Sequence, residues 1–250
     1  MSIFSRFRSL DDDGKAQAVR KLMSASTPSF DYFYMAALAV SMATLGLLLN
    51  NASIVIGSAL IAPVLYPILS LSLGLVMSDY RILVRAAYTI LKSIGMAVGI
   101  AAAITLLFAG NAPITAHAAE LVAPSLLYLF VAFFAGLGVS YVLARPDWNA
   151  TIPGLAISVA FIPPAAAVGI GLAHLDVGLA LGAFMMLGVN IIGIVAASMA
   201  TFSLMNLYEK RHIAQSAIEK AEEKVEEEQA VIAALDHAEQ SHQRRYYPRK

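Results

Sequence analysis

The stretch from residue 50 to 75, NNASIVIGSALIAPVLYPILSLSLGL, restricts the fold more than any other. It is apolar for long enough to cross a bilayer, which takes about 20 such residues in helical form. Yet Pro63 and Pro67 stand near its middle. A helical proline has no N–H for the carbonyl four residues back, and its ring pushes that carbonyl aside. The carbonyls concerned are those of Ala59 and Pro63. In hydrocarbon an open carbonyl is tolerated only where protein or a watery cavity surrounds it. This stretch is therefore expected inside the molecule, with its break facing something polar.

A second copy follows. Shifting the chain by 101 positions lays Ile56, Ala59, Ile61 and Pro63 on Ile157, Ala160, Ile162 and Pro164. The later stretch is again apolar and again interrupted, by Pro163 and Pro164, which free the carbonyls of Val159 and Ala160. Identities among Ala, Ile and Leu arise readily by chance. The agreement of proline position with whole-span spacing carries the comparison.

Composition agrees with a membrane location: of 250 residues 59% are hydrophobic and 14% charged, and mean hydropathy is +0.71. The net charge of zero hides a partition, because most charges lie before residue 31 or after residue 207. No apolar run precedes Phe30, so the N-terminus does not read as a cleavable signal peptide. Zero cysteines excludes disulfides and thiolate metal sites.

The hydropathy pattern gives an all-α polytopic membrane protein with six spans, near 30–49, 53–77, 82–108, 121–143, 152–173 and 177–204. Spans two and five are those broken at prolines. Lys and Arg accumulate on the cytoplasmic side of membrane proteins. Arg6, Arg8, Lys15, Arg20, Lys21, Arg81, Arg85 and Arg145 fall in the segments that are cytoplasmic if the N-terminus is inside, whereas the opposite loops carry no Lys or Arg. Both termini are thus expected in the cytoplasm. A three-span unit reverses direction when repeated, so the halves, about 30–109 and 121–205, become two inverted repeats. Pro63 lies about 15 Å into its span at the helical rise. Two broken helices at the midplane of inverted repeats is the layout secondary transporters use for a binding site.

Residues 1–29 read as a polar cytoplasmic segment with one short helix. Residues 206–250 read as a long charged helix, continuing span six, with a basic tail. Ile218, Val225 and Ile232 recur every seven residues, a short coiled-coil pattern that an amphipathic surface helix also fits. The heptads and the small-residue faces of the spans lead to an expected homo-oligomer.

The stretches DYFYMAALAVSMATLGLLLNNASIVIGSALIAPVLYPILSLSLGL and IPGLAISVAFIPPAAAVGIGLA, followed by GVNIIGIVAAS, resemble the DUF389 family of prokaryotic membrane proteins over roughly residues 31–198. Ser58 and Tyr66 depart from the pattern of that family. The resemblance implies a multi-span fold in the plasma (inner) membrane and brings no established activity.

Candidate site residues follow from the breaks and from polar groups inside spans. Ala59, Pro63, Pro67, Ala160, Pro163 and Pro164 mark the opened carbonyls. Lys92 stands deep in span three, either as a fixed charge in a central cavity or as a chain snorkelling to the headgroups. Thr89 precedes it by one turn. Asn190, at the repeat position of Thr89, either meets a solute or hydrogen-bonds between helices. Asn50 and Asn51 cap the broken span or guard access to it. His117 and His174 lack partners at metal-ligand spacing, so no metal or other cofactor is assigned. No nucleophile triad, phosphate loop or intramembrane carboxylate pair is present to support an enzyme, and dispersed basic residues give no nucleic-acid surface.

Two function classes fit. One is a secondary transporter or channel-like carrier with a midplane site, leaning to an anionic or neutral small solute. The other is a non-transporting scaffold or sensor acting through its C-terminal helix.

Overall fold

In the computed structural model of the chain, residues 12–109, 113–121, 123–144 and 151–246 are described, the side chains of 151–159 and 236–246 excepted. Arg6, Arg8, Arg145 and the basic tail fall outside these descriptions. All regular structure among the described residues is helical: α1 (Asp12–Ala25), α2 (Phe30–Leu48), α3 (Ala52–Ala59), α4 (Leu65–Met77), α5 (Tyr80–Phe108), α6 (Ala116–Glu120), α7 (Leu126–Leu143), α8 (Thr151–Ala173), α9 (Val177–Leu204), a 3-10 turn (Leu207–Lys210) and α10 (Arg211–Tyr246). Four of them, α2, α5, α7 and α9, are long and apolar enough to cross a membrane.

The centre of the bundle is α8. It packs against α2, α3, α5, α7 and α9, and every residue from 161 to 171 is buried. Small residues make that crowding possible: a Cβ on Gly169 would lie 2.5 Å from the Val98 carbonyl oxygen of α5. The other inner element is α4, where Ile68, Leu69 and Leu73 are fully covered.

The two proline-bearing stretches behave differently. The first is broken as expected. α3 stops at Ala59 after i→i+3 hydrogen bonds from Leu60 and Ile61 N–H tighten its last turn, and Pro63 lies in the non-helical link before α4. Pro67 falls in the first turn of α4, where an N–H has no helical partner in any case, so it breaks nothing. The expected interior position holds for Ala59, Ala62 and Val64, while Leu60 turns outward.

The second stretch corrects the reading of a broken fifth span. α8 runs without interruption through Pro163 and Pro164. Helices packed on every side hold the backbone helical, and the carbonyl freed by Pro164 has found another donor. That donor belongs to the candidate site below.

Three corners share one geometry. Between α2 and α3, α4 and α5, and α8 and α9, a residue with left-handed backbone ends the helix: Asn50 (φ 52°), Ser78 (φ 49°) and Leu175 (φ 55°). The next residue, Asn51, Asp79 or Asp176, is extended and caps the following helix through its side-chain oxygen. Its own N–H donates to the carbonyl of Gly46, Gly74 or Gly171, at 2.9, 3.0 and 2.8 Å. This is the Schellman helix stop fused to an N-cap. Each glycine sits where the next helix passes closest; a Cβ on Gly171 would lie 2.6 Å from Ala180 N. Gly171→Ala is expected to cost about 1–3 kcal/mol by overpacking. Gly57, with nothing within 4 Å of its Cβ position, is expected to tolerate alanine or gain stability. Thermal unfolding of both variants in detergent checks the pair, and equal melting shifts would refute it.

At one end of the bundle α1 and α10 dock together. α1 buries Val19, Leu22 and Met23. α10 does not continue α9: Asn206 takes left-handed backbone (φ 55°) and the 3-10 turn redirects the chain. Ion pairs Lys210–Asp12 (3.0 Å), Lys15–Glu209 (3.6 Å) and Arg85–Glu222 (2.8 Å) tie this end together. From residue 222 to 235 α10 is almost wholly exposed.

Candidate functional site

Away from the basic end, a half-open cavity of about 310 Å³ lies over the proline pair of α8. Its floor is Ala160, Pro163 and Pro164 from α8, with Met186 and Asn190 from α9. Val55 and Ile56 of α3 face Tyr128 and Val131 of α7 across it, and His117 and Glu120 of α6 form the rim.

The floor follows from the residues. Two successive prolines remove two backbone donors, so the Ala160 carbonyl has no helical partner. Asn190 donates from Nδ2 to that oxygen at 2.7 Å and is itself buried. Thus the carbonyl read from the sequence as open is half-satisfied by the amide read as either ligand or interhelical bond. A second lone pair on Ala160 O and the Asn190 Oδ1 acceptor supply the polar capacity of the floor.

The rim is pinned to the α2–α3 corner. Thr115 Oγ1 donates to the Leu47 carbonyl at 2.6 Å, and the Asn50 side-chain oxygen accepts from His117 N–H at 3.0 Å. Asn51 accepts from Ser53 and Ile54 N–H. Asn51 therefore caps the helix, and Asn50 ties the rim to the corner. His117 Nδ1 is 3.8 Å from Glu120 Oε2. Among the described residues no cluster of three His, Asp or Glu groups has metal-binding geometry.

The structure gathers Ala160, Pro163, Pro164 and Asn190 into one place and leaves the other sequence candidates elsewhere. Ala59, Pro63 and Pro67 do not line the cavity. Thr89 is buried and donates to the Arg85 carbonyl of its own helix. Lys92 is exposed, with Nζ 4.4 Å above the Phe33 ring, so it supplies no charge to a central cavity. Tyr32 is buried, with its hydroxyl 2.9 Å from Ser93 Oγ.

Tyr128, Met186 and the α6 rim were not singled out from sequence, because an aromatic or methionine in an apolar helix carries no positional signal. Asp79 was also missed, although GLLLNN, GLVMSD and GLAHLD repeat one Gly-Leu-x-x-x-Asx pattern that marks it. Its Oδ1 caps α5 through Arg81 and Ile82 N–H. Its Oδ2 accepts from Arg211 Nε and Gln215 Nε2, both at 2.8 Å. Burial pushes its carboxyl up, but these hydrogen bonds and the Arg211 charge outweigh it and hold the group below the usual carboxylate range.

No curated protein and no solved structure matches the chain. The DUF389 family, described as a domain of unknown function, matches residues 59–196. That span covers more than half of the chain and includes the α3–α4 break, two of the three Gly-Leu corners and the whole cavity floor, so the chain belongs to the DUF389 family.

Proposed function

We propose that this protein is a membrane carrier or channel for a small neutral solute, with its site in the cavity over Pro163 and Pro164. The observation that carries the reading is the Ala160–Asn190 floor, a polar spot inside an apolar cavity of ligand-binding size. Among the described residues no Lys or Arg lines that cavity, which favours the neutral over the anionic solute. In this reading α3 and α4 form one broken span and α8 another span, giving six with α2, α5, α7 and α9. The clustering of Lys15, Arg81, Arg85, Lys210 and Arg211 at one end supports placing that end in the cytoplasm. The inverted repeat draws support from the corners, at a corrected register: Gly74 and Asp79 match Gly171 and Asp176, an offset of 97 that lays Pro67 rather than Pro63 on Pro164.

The chain has no native cysteine, so one introduced at Ile56 is the sole thiol of the protein. Reconstituted protein is first screened for uptake of neutral solutes. Maleimide modification at Ile56 is then expected to abolish the uptake found, while modification at the outward Leu181 leaves it intact. Equal uptake after both modifications would remove the cavity as the site. A cysteine at Leu175 is expected to label in intact cells and one at Ala230 only after permeabilisation.

The exposed outer half of α10 favours a second reading, a scaffold or sensor that presents this helix to a partner. In that case deletion of residues 222–250 abolishes function, whereas blocking Ile56 changes nothing.

A further inference from the structure

A second cavity, of about 540 Å³, lies between the start of α5 and α10, separate from the proline cavity. One wall carries Arg81 and Arg85, the other Glu219 and Glu222, and Val84 and Ile218 contribute apolar surface between them. Tyr80, Val84, Tyr88 and Leu91 are exposed at successive turns of α5 and continue the groove along an apolar outer face. That face belongs to one of the helices long enough to cross a membrane.

The outer pair of charges, Arg81 and Glu219, is not used up by mutual contact. Arg81 and Glu219 approach only to 3.9 Å, with side chains 81% and 69% exposed, a pairing of little energetic weight. Arg85 Nη2 donates to Thr27 Oγ1 at 2.9 Å. Arg85 Nη1 lies 2.8 Å from Glu222 Oε1, but the contact is a charge pairing without hydrogen-bond alignment, which leaves that buried nitrogen without an aligned acceptor.

We propose that this groove binds a zwitterionic phospholipid with a phosphoethanolamine headgroup, at the end of the bundle where α10 docks. The phosphate oxygens accept from Arg81, with the Arg85 guanidinium adding positive charge behind it, and charge-assisted bonds of this kind are the stronger class. The primary ammonium donates to Glu219. An acyl chain lies along Val84, Tyr88 and Leu91. Tyrosines at the mouth suit a headgroup depth, where amphipathic rings are favoured. The charge order discriminates among lipids. Phosphocholine has no ammonium N–H to give Glu219, and phosphoglycerol has no cation. Aliphatic surface continuous with the groove selects a membrane lipid over the free headgroup.

The test uses full-length protein and native mass spectrometry with chain-matched phosphatidylethanolamine, phosphatidylcholine and phosphatidylglycerol at equal concentration. Wild-type protein is expected to retain phosphatidylethanolamine about tenfold over phosphatidylcholine, the equilibrium equivalent of about 1.4 kcal/mol. Arg81→Gln is expected to lose retention of both phosphatidylethanolamine and phosphatidylglycerol, and Arg81→Lys to keep a reduced share. Glu219→Gln is expected to remove the preference for phosphatidylethanolamine over phosphatidylglycerol while the phosphate still binds. Both altered side chains are largely exposed, so neither change removes core packing, and unchanged melting temperatures confirm that the fold is kept. Equal retention of the three lipids by wild-type protein would overturn the proposal. So would wild-type selectivity in Arg81→Gln and Glu219→Gln, or displacement of the lipid by soluble phosphoethanolamine at equal concentration.

Discussion

Replacing Asn190 with leucine is expected to destabilise the protein by about 1–2 kcal/mol, and the loss is expected to disappear when residue 164 is alanine. Interhelical side-chain hydrogen bonds in membranes average only about 0.6 kcal/mol, because the partners normally find substitutes. The Ala160 carbonyl has none at hand: Pro164 offers no N–H, and leucine fills the space from which water would enter. An unpaired buried acceptor costs about 1–3 kcal/mol, which puts the effect above the membrane average. Asn190→Ala leaves room for water from the adjoining cavity, so its loss is the smaller one. Pro164→Ala restores the backbone donor, and an interior proline costs an ordinary helix about 3 kcal/mol. Here Asn190 already recovers part of that, so a gain of about 1–2 kcal/mol is expected from the same bookkeeping. In the Pro164→Ala background the helix satisfies Ala160 and Asn190 becomes dispensable for folding. Thermal unfolding of the four proteins of this cycle measures the coupling. Additive effects would show that the 2.7 Å contact carries no energy.

The same two residues show how far the sequence can be read. Proline chemistry names the carbonyl that loses its donor, so Ala160 was legible as a polar spot in an apolar span. Whether the helix breaks there was not legible, because a proline removes the same kind of backbone donor at Pro63 and at Pro164. Surroundings decide it: α8 is buried at every residue from 161 to 171 and stays helical, whereas the α3–α4 link has Leu60 facing outward and opens. The donor from Asn190 lies 30 residues away, and only tertiary packing brings it to Ala160. Lys92 stayed open between its two readings for the opposite reason. Its depth in α5 was readable, but the face that packs inward is a stripe of small and polar residues, Ala86, Thr89, Ser93, Ala97 and Ala101, which a hydropathy reading does not mark as the buried side. The corners were legible and overlooked, since Gly-Leu-x-x-x-Asx recurs three times and each part has a backbone reason.

Asp79 carries the other large expected effect. Asp79→Ala removes the cap of α5, worth about 1 kcal/mol, together with two side-chain bonds from α10, of which the Arg211 bond is charge-assisted and worth about 1.5–3 kcal/mol. A total loss of about 2.5–4 kcal/mol, before the Gln215 bond is counted, is expected by adding these terms. Asp79→Asn separates them. The amide oxygen still caps Arg81 and Ile82, but its NH₂ now confronts the donors of Arg211 and Gln215, so the α10 contact alone fails. Amide exchange is therefore expected to quicken across residues 211–222 in Asp79→Asn while the α5 amides stay protected. Acid should act like the mutation. The folded carboxyl lies below its ordinary value, so its stabilisation is complete above the unfolded pKa, near 4, and fades as pH falls through the folded value. Salt should act weakly, because the Asp79 side chain is only 2% exposed and buried charges are poorly screened. Wild-type exchange rates over 211–222 in Asp79→Asn at neutral pH would mean that α10 is held by Glu222 and the α1 pairs instead. Protection over 211–222, corrected for the intrinsic exchange rate, that persists in the unmodified protein after Asp79 has been protonated would lead to the same conclusion. The carboxylate matters beyond the docking of α10 because it sits at the corner where α4 becomes α5. Through its cap and its α10 contacts, one buried side chain ties α10 to that corner.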